Sequence, residues 1–398
     1  MRLLRGSALV VALAFMTSGC GSSDADVAAA TSPPAAVSVS VPDGAGDVDP
    51  ATAITVRATS GTLDEVTLTS TDGRRTVVGN RASDGVWTSA GVLLPKTTYV
   101  VTASARNAGG DRSVSKTSFA TVTPDHVVSY LVVPDGHTVG AGMPVQVLFD
   151  SPITSLDVRA AIEAKLQISV TPAQEGAWGW VDNSSLMYRP RGYWASGTKI
   201  TVSAPLAGTQ VASGSYLMED NGAKLTIGAQ RVMKVDLLTH RMTLVEDGHP
   251  VKTFPISGGR LGERFETRGG TKVITEKLPS IIMDSSTFGI DKADPEYYRT
   301  DVQWAMRITD SGEFLHSAPW SVGSQGYANV SHGCINLSPG DASWLFQRAE
   351  IGDIVETTGS HYPLQPGEAG VSVWLSTWPQ WQARSAVAAK TAASGTHA

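Results

Sequence analysis

The stretch Ser331-His332-Gly333-Cys334-Ile335-Asn336-Leu337 concentrates more chemistry than any other part of this 398-residue chain. A cysteine acts as a nucleophile through its thiolate, and it needs a base or a cationic neighbour to reach that state. His332 is two residues away. His316 lies upstream in Phe314-Leu315-His316-Ser317-Ala318-Pro319-Trp320, with enough chain between to leave, turn and return. An imidazole base needs an acceptor on its other ring nitrogen. No local carboxylate is an obvious orienting partner, so a main-chain carbonyl is a candidate. Gly333 lets the backbone approach a substrate closely, and the amides around Cys334 could hold an oxyanion. Two plainer readings use the same residues. His316, His332 and Cys334 could ligate zinc, although no helical H-E-x-x-H frame accompanies them. Cys334 could also be an inert buried thiol, a common fate of free cysteine.

Such a site needs elements to hold it. Read as a strand, the segment points His332, Cys334 and Asn336 to one face. Ser338-Pro339-Gly340-Asp341 then supplies an N-cap, a proline at the first helical position and an acid in the first turn, predicting a helix over 342–349 with Trp344, Leu345 and Phe346. Upstream, 235–240, 242–246 and 251–256 read as a β meander around Asp247-Gly248. Gly258, Gly259, Gly262, Gly269 and Gly270 lack the phosphate-loop spacing and read as turns. Before this catalytic unit, 230–358, two β sandwiches are expected at 37–123 and 124–229. Strands are predicted at 53–58, 65–70, 75–78 and 97–103 in the first, and at 127–133, 145–149, 166–170, 186–189 and 199–204 in the second, with a helix at 158–165. Trp178, Trp180, Tyr188, Tyr193 and Trp194 read as core or inter-domain aromatics, with a sugar-binding face as the sharper alternative. Trp374, Trp378 and Trp381 in the segment 359–385 need cover, which the catalytic domain could supply. The last residues, 386–398, are expected to be disordered.

Composition narrows the function. A net charge of −6 argues against nucleic acid as a partner, whose binders are basic. Two cysteines, Cys20 and Cys334, cannot form a disulfide-dense scaffold. Arg2 and Arg5, the apolar run 8–16 and the small residues Thr17, Ser18 and Gly19 have the layout of a signal peptide at 1–19. Cys20 follows directly, so this end resembles a bacterial lipoprotein signal, and a lipid on Cys20 would tether the protein to the outer face of the membrane. The segment 20–36 reads as a flexible linker.

The pattern H-x(14)-S-H-G-C-x-N, from His316 to Asn336, resembles the catalytic signature of the L,D-transpeptidases, which cross-link bacterial peptidoglycan. The layout resembles actinobacterial members of that family: a mainly β chain, with two immunoglobulin-like β-sandwich domains before a β-rich catalytic domain that has a short helix after its cysteine. The resemblance implies roles. Cys334 would be the acyl-accepting nucleophile, His316 its general base and the Ser317 carbonyl the orienting acceptor. His332 and Gly333 would shape the oxyanion site with the Cys334 amide, supported by Ser331 and Asn336. Tyr298 and Met283 would line the donor pocket, and Trp320 would belong to a lid. It also implies attack on the third residue of a stem tetrapeptide, release of D-alanine and a 3→3 cross-link, or L,D-carboxypeptidase action if water replaces the acceptor amine. Peptidoglycan stem peptides would be the partners, carbapenem β-lactams covalent inhibitors, and no metal or organic cofactor is required. The location would be extracytoplasmic, lipid-anchored to the cell membrane and facing the wall. Rival readings are weaker. A D,D-transpeptidase needs S-D-N and K-T-G beside the S-x-x-K matches at Ser113 and Ser196, and both are absent. Wall-hydrolase cysteine peptidases usually place the cysteine before the histidine. A catalytically idle wall-binding protein would make the β domains the working part.

Overall fold

The computed structural model describes residues 32–395, so the expected signal peptide, Cys20 and most of the linker lie outside the described residues. The first β unit packs two sheets. One runs Ala36–Val39, Thr55–Ser60, Trp87–Ser89, Gly79–Arg81 in spatial order; the other runs Ala45–Val48, Arg112–Thr121, Thr98–Arg106, Thr62–Ser70, Thr76–Val77. Alternation explains the sandwich: Tyr99, Val101, Ala103 and Ala105 of one strand all point inward. Tyr99, Val101 and Ala103 share a core with Val56, Leu68, Trp87 and Phe119, with Tyr99 and Phe119 stacked at 5.7 Å. Each such side chain contributes roughly 2 kcal/mol by leaving water.

The second unit repeats the plan with a helix added. Tyr130–Val133, Val145–Phe149, Ser185–Pro190 and Gly176–Trp180 form one sheet; Thr138–Val139, Asn221–Ile227, Lys199–Ala204 and Gln167–Thr171 form the other. The helix Leu156–Lys165 starts at Ser155, whose hydroxyl accepts from the Val158 N–H. Trp178, Trp180, Tyr188 and Trp194 are buried in this core, so they present no sugar-binding face. Tyr193 is the inter-domain member, donating to Glu356 Oε1 at 2.7 Å.

The third unit packs two sheets over a shared apolar core, and the second sheet carries the candidate site. Arg231–Asp236, Arg241–Glu246 and His249–Pro255 form a meander, its second turn at Asp247 and Gly248, both with positive φ; the first strand, expected at 235–240, instead ends at Asp236, and 237–240 make the first turn, with His240 at φ 55°. Arg231–Asp236 also pairs in parallel with Ile354–Thr358, a long-range contact that local patterning does not reveal. The second sheet orders Glu276–Asp284, Arg299–Arg307, Phe314–Ser317 and Ile335–Leu337. Helix Pro339–Arg348 follows, with Ser338 accepting from the Asp341 N–H at 3.2 Å. Its Leu345 closes the core over Leu244, Phe254, Leu315, Ile335 and Leu337.

Two expectations about the C-terminal end are corrected. Most of the cover for the tail tryptophans comes from the second β domain. Trp381 is 1% exposed, donates to the Ala177 carbonyl at 3.0 Å and packs on Met187, while Val273 supplies the catalytic domain's share. Trp374 reaches the Gly142 carbonyl at 2.7 Å, and Arg189 lies over the rings of Trp374, Trp378 and Trp381. The segment expected to be disordered from residue 386 is the helix Ala386–Gly395. Its alanines favour helix. Glu163 accepts from the Ser385 hydroxyl and from the Ala386 N–H, placing a carboxylate at the helix N-terminus.

Candidate active site

The parallel pairing of Phe314–Ser317 with Ile335–Leu337 sets His316 directly opposite Asn336. The chain between these strands carries Trp320, whose ring centre lies 6.0 Å from that of His316. Cys334 enters just before its strand, which corrects the expected continuous strand across 331–337. Gly333 has φ +128°, a conformation that breaks the two-residue alternation and turns the backbone of residues 332–334 into a bend. Hydrogen bonds pin that bend. Ser331 Oγ donates to the Cys334 carbonyl at 2.6 Å and accepts from the Gly333 N–H at 3.1 Å. Thr267 Oγ1 donates to the Gly333 carbonyl at 2.8 Å and accepts from the Gly259 N–H at 2.8 Å. Asn336 Nδ2 donates to Ser321 Oγ at 3.1 Å, tying the strand to the connecting segment.

A cavity of about 390 Å³ opens here, lined by Met283, Tyr298, His316, Trp320, Ser331, His332, Cys334 and Asn336 among others. These eight expected site residues therefore share one wall system. Ser317 and Gly333 stand outside that lining. Ser317 lies behind His316, and Gly333 borders a second, polar cavity of about 340 Å³ on the far side of Tyr298 and His332, which also takes Arg264, Arg268, Glu313 and Glu368.

His316 Nδ1 lies 2.9 Å from the Ser317 carbonyl oxygen. A carbonyl only accepts, so Nδ1 carries the proton and Nε2 keeps its lone pair. Burial holds the imidazole down to about 4, against the opposing pull of that carbonyl. Burial likewise pushes the Cys334 thiol up to about 12; the Phe314 N–H works against this, the Glu313 carboxylate adds to it, and Lys272 and Arg307 oppose it. Both shifts favour the neutral forms of a thiol and an imidazole that line one cavity. Cys334 Sγ donates a long hydrogen bond to the Gly312 carbonyl at 3.7 Å.

Several residues that position the site carry no sequence signal. Glu296 Oε2 is 3.0 Å from His332 Nε2 and 2.6 Å from Arg260 Nη2. Arg260 first, and His332 second, hold the Glu296 carboxyl below the usual range. Phe265 and Tyr298 flank the His332 ring at 4.8 and 5.0 Å. Glu296 stands 36 residues from His332, and only the folded sheet reveals the pair.

Paired β sandwiches thus precede a two-sheet domain in which Cys334 and His316 line one cavity. Residues 230–357 match the model of the L,D-transpeptidase catalytic domain, and 45–210 match a bacterial Ig domain. L,D-transpeptidase 2 of Mycobacterium tuberculosis is 36% identical over 354 residues, covering 88% of this chain and 85% of that protein. L,D-transpeptidase 5 of the same species is 35% identical over 361 residues, covering 88% and 78%. A solved L,D-transpeptidase in complex with imipenem aligns with a TM-score of 0.50 and 33% identity, covering 59% of this chain and all (100%) of that one. The chain belongs to the L,D-transpeptidase family and is an enzyme of that kind.

Proposed function

We propose that this enzyme forms 3→3 peptidoglycan cross-links through a thioester on Cys334, with tetrapeptide stems as donors and D-alanine as the leaving group. One observation carries the reading: a single cavity exposes the Cys334 sulfur and the His316 ring whose Nδ1 is bound to the Ser317 carbonyl. With the thiol near 12 and the imidazole near 4, a preformed ion pair is disfavoured. The proton therefore leaves Sγ for His316 Nε2 as sulfur bonds to the carbonyl carbon of stem residue 3. The carbonyl oxygen becomes an oxyanion. The Gly333 N–H is already given to Ser331 Oγ, so the Cys334 N–H is the backbone donor assigned to it. On collapse the C–N bond breaks and the imidazolium protonates the departing D-alanine amine. An amine from a neighbouring stem then loses its proton to Nε2, attacks the thioester and regenerates the thiol. Tyr298 and Met283 line the donor side, His332 and Gly333 shape the oxyanion bend, and Trp320 covers the bound stem.

We read Cys20 as the lipid attachment point, on the strength of Arg2, Arg5 and the apolar run before it. Among the described residues no helix is long and apolar enough to cross a membrane. Incubation with imipenem followed by intact-mass and peptide analysis tests the nucleophile. One covalent adduct, mapped to Cys334 and lost in Cys334→Ala, is expected. An adduct elsewhere, or none, contradicts the assignment.

A further inference from the structure

One residue of the segment that touches the Cys334 sulfur belongs to a buried ion pair that the reaction above does not use. Lys272, on Gly270–Val273, has a fully buried side chain (0% exposed) and meets Glu313 Oε2 at 2.5 Å. The other carboxylate oxygen, Oε1, accepts from the Arg268 N–H at 2.7 Å. The main chain of Glu313 is held as well: its N–H donates to Thr309 Oγ1 at 2.8 Å, and its carbonyl accepts from the Ile308 N–H at 2.9 Å. Glu313 is thus fixed at four points. Its two neighbours in sequence are the groups that touch the nucleophile. The Gly312 carbonyl takes the thiol hydrogen bond, and the Phe314 N–H faces the sulfur. The Glu313 Cγ lies 3.6 Å from where a Cβ on Gly333 would sit, so the carboxylate stem also supports the bend before Cys334.

A buried ion pair rarely adds net stability, because each charge loses its hydration. A neutral pair of apolar side chains would fill the same space at less cost. A lone carboxylate here would oppose ionisation of the sulfur, and a lone ammonium would promote it.

We propose that Lys272 and Glu313 are positioning residues for Cys334: Glu313 locks the Gly312–Phe314 backbone against the sulfur, and Lys272 cancels the carboxylate charge that would otherwise resist thiolate formation. The pair keeps the pocket rigid and electrically balanced, so that proton loss from Cys334 is governed by the base and not by its support. The proposal rests on reading Cys334 as the nucleophile. The charged and titratable groups around the sulfur are Glu313, Lys272, Arg307, Tyr298, His316 and His332, and only the first two are altered below.

The test is the rate of Cys334 alkylation by iodoacetamide at a fixed pH of about 9 in the full chain, read by peptide mass spectrometry, where the rate follows the thiolate fraction. Glu313→Gln keeps the shape and the acceptor but leaves Lys272 unopposed, so the rate should rise about tenfold. Lys272→Met leaves the carboxylate unopposed, so the rate should fall by a similar factor, and Lys272→Arg should return it to the parent value. Opposite signs mark a charge effect, because loss of packing alone would move both variants the same way. Thermal melts identify any variant that fails to fold, and the sign in the other variant then decides. Shifts of the same sign, or no shift in a folded variant, overturn the proposal. Imipenem acylation of the parent, run alongside, reports separately on whether Cys334 is the nucleophile.

Discussion

A thiol held near 12 and an imidazole held near 4 are each poor at their task in isolation, and both values come from burial. What makes them useful is that each is neutral, so no desolvated charge waits in the cavity before substrate arrives. This has a measurable side. The His316 value in the folded protein lies below its ordinary 6.5, so the unfolded chain takes up a proton first as the pH falls. The stabilising share of this residue is complete above about 6.5 and is lost as the pH falls towards about 4, amounting to about 3 kcal/mol. His316→Gln should remove that slope from denaturant midpoints measured between pH 7 and 4. The same variant should lower the imipenem acylation rate by a factor of about 10² to 10⁴, the range of a lost general base. A rate within threefold of the parent would remove His316 from its assigned role.

At the scale of elements, the site depends on a strand pair and a bend. The capped helix Pro339–Arg348 was legible, because Ser338, Pro339 and Asp341 are local signals. The meander was legible for the same reason, since alternation and the Asp247-Gly248 turn act within a few residues. The bend at 332–334 was not, because its cause is one glycine φ supported by Thr267 and Ser331. The edge strand Glu276–Asp284 and the inner strand Arg299–Arg307 were also missed, and with them Glu296, in the loop between them, and its hold on His332. The family signature could therefore be read from its spacing, whereas its supports arrive through pairings far apart in sequence. The tail shows a third case. Its tryptophans announced that cover was needed, but only the fold says which domain provides it. Trp381→Ala removes a fully packed ring and its hydrogen bond to Ala177, so a loss of about 3–5 kcal/mol is expected. The loss should appear in the melting of the second β domain together with the catalytic domain, because the ring packs on Met187 and shares its cluster with Val273.

Across the whole molecule, the second sandwich and the catalytic domain meet backbone to backbone. The Gly140 N–H donates to the Ile351 carbonyl and the Gly142 N–H to the Gly352 carbonyl, both at 2.8 Å. A Cβ on Gly140 would stand 2.1 Å from the Asp353 nitrogen, so only glycine fits this approach. Asp353 is fully buried at that seam, with Arg231 at 3.7 Å and its Oδ2 accepting from the Glu350 N–H at 2.8 Å. Burial outweighs both partners and pushes its carboxyl up to about 7. A folded value above the ordinary 3.8 gives a contribution that is complete below about 4 and lost as the pH rises through about 7. Asp353→Asn escapes that loss, so its stability relative to the parent should grow between pH 4 and pH 8. This slope opposes that of His316, so each is read as a difference between a variant and the parent. An unchanging difference would mean that Asp353 stays charged at the seam.

The nucleophile, substrate and reaction are tested together by one measurement on purified disaccharide-tetrapeptide. The parent enzyme should release D-alanine and form 3→3-linked dimers, identified by tandem mass spectrometry, and Cys334→Ala should form none. Tripeptide in place of dimer would make water the acceptor and the enzyme a carboxypeptidase. Dimers formed by Cys334→Ala at the parent rate would contradict the assignment of Cys334 as the residue that carries the acyl group.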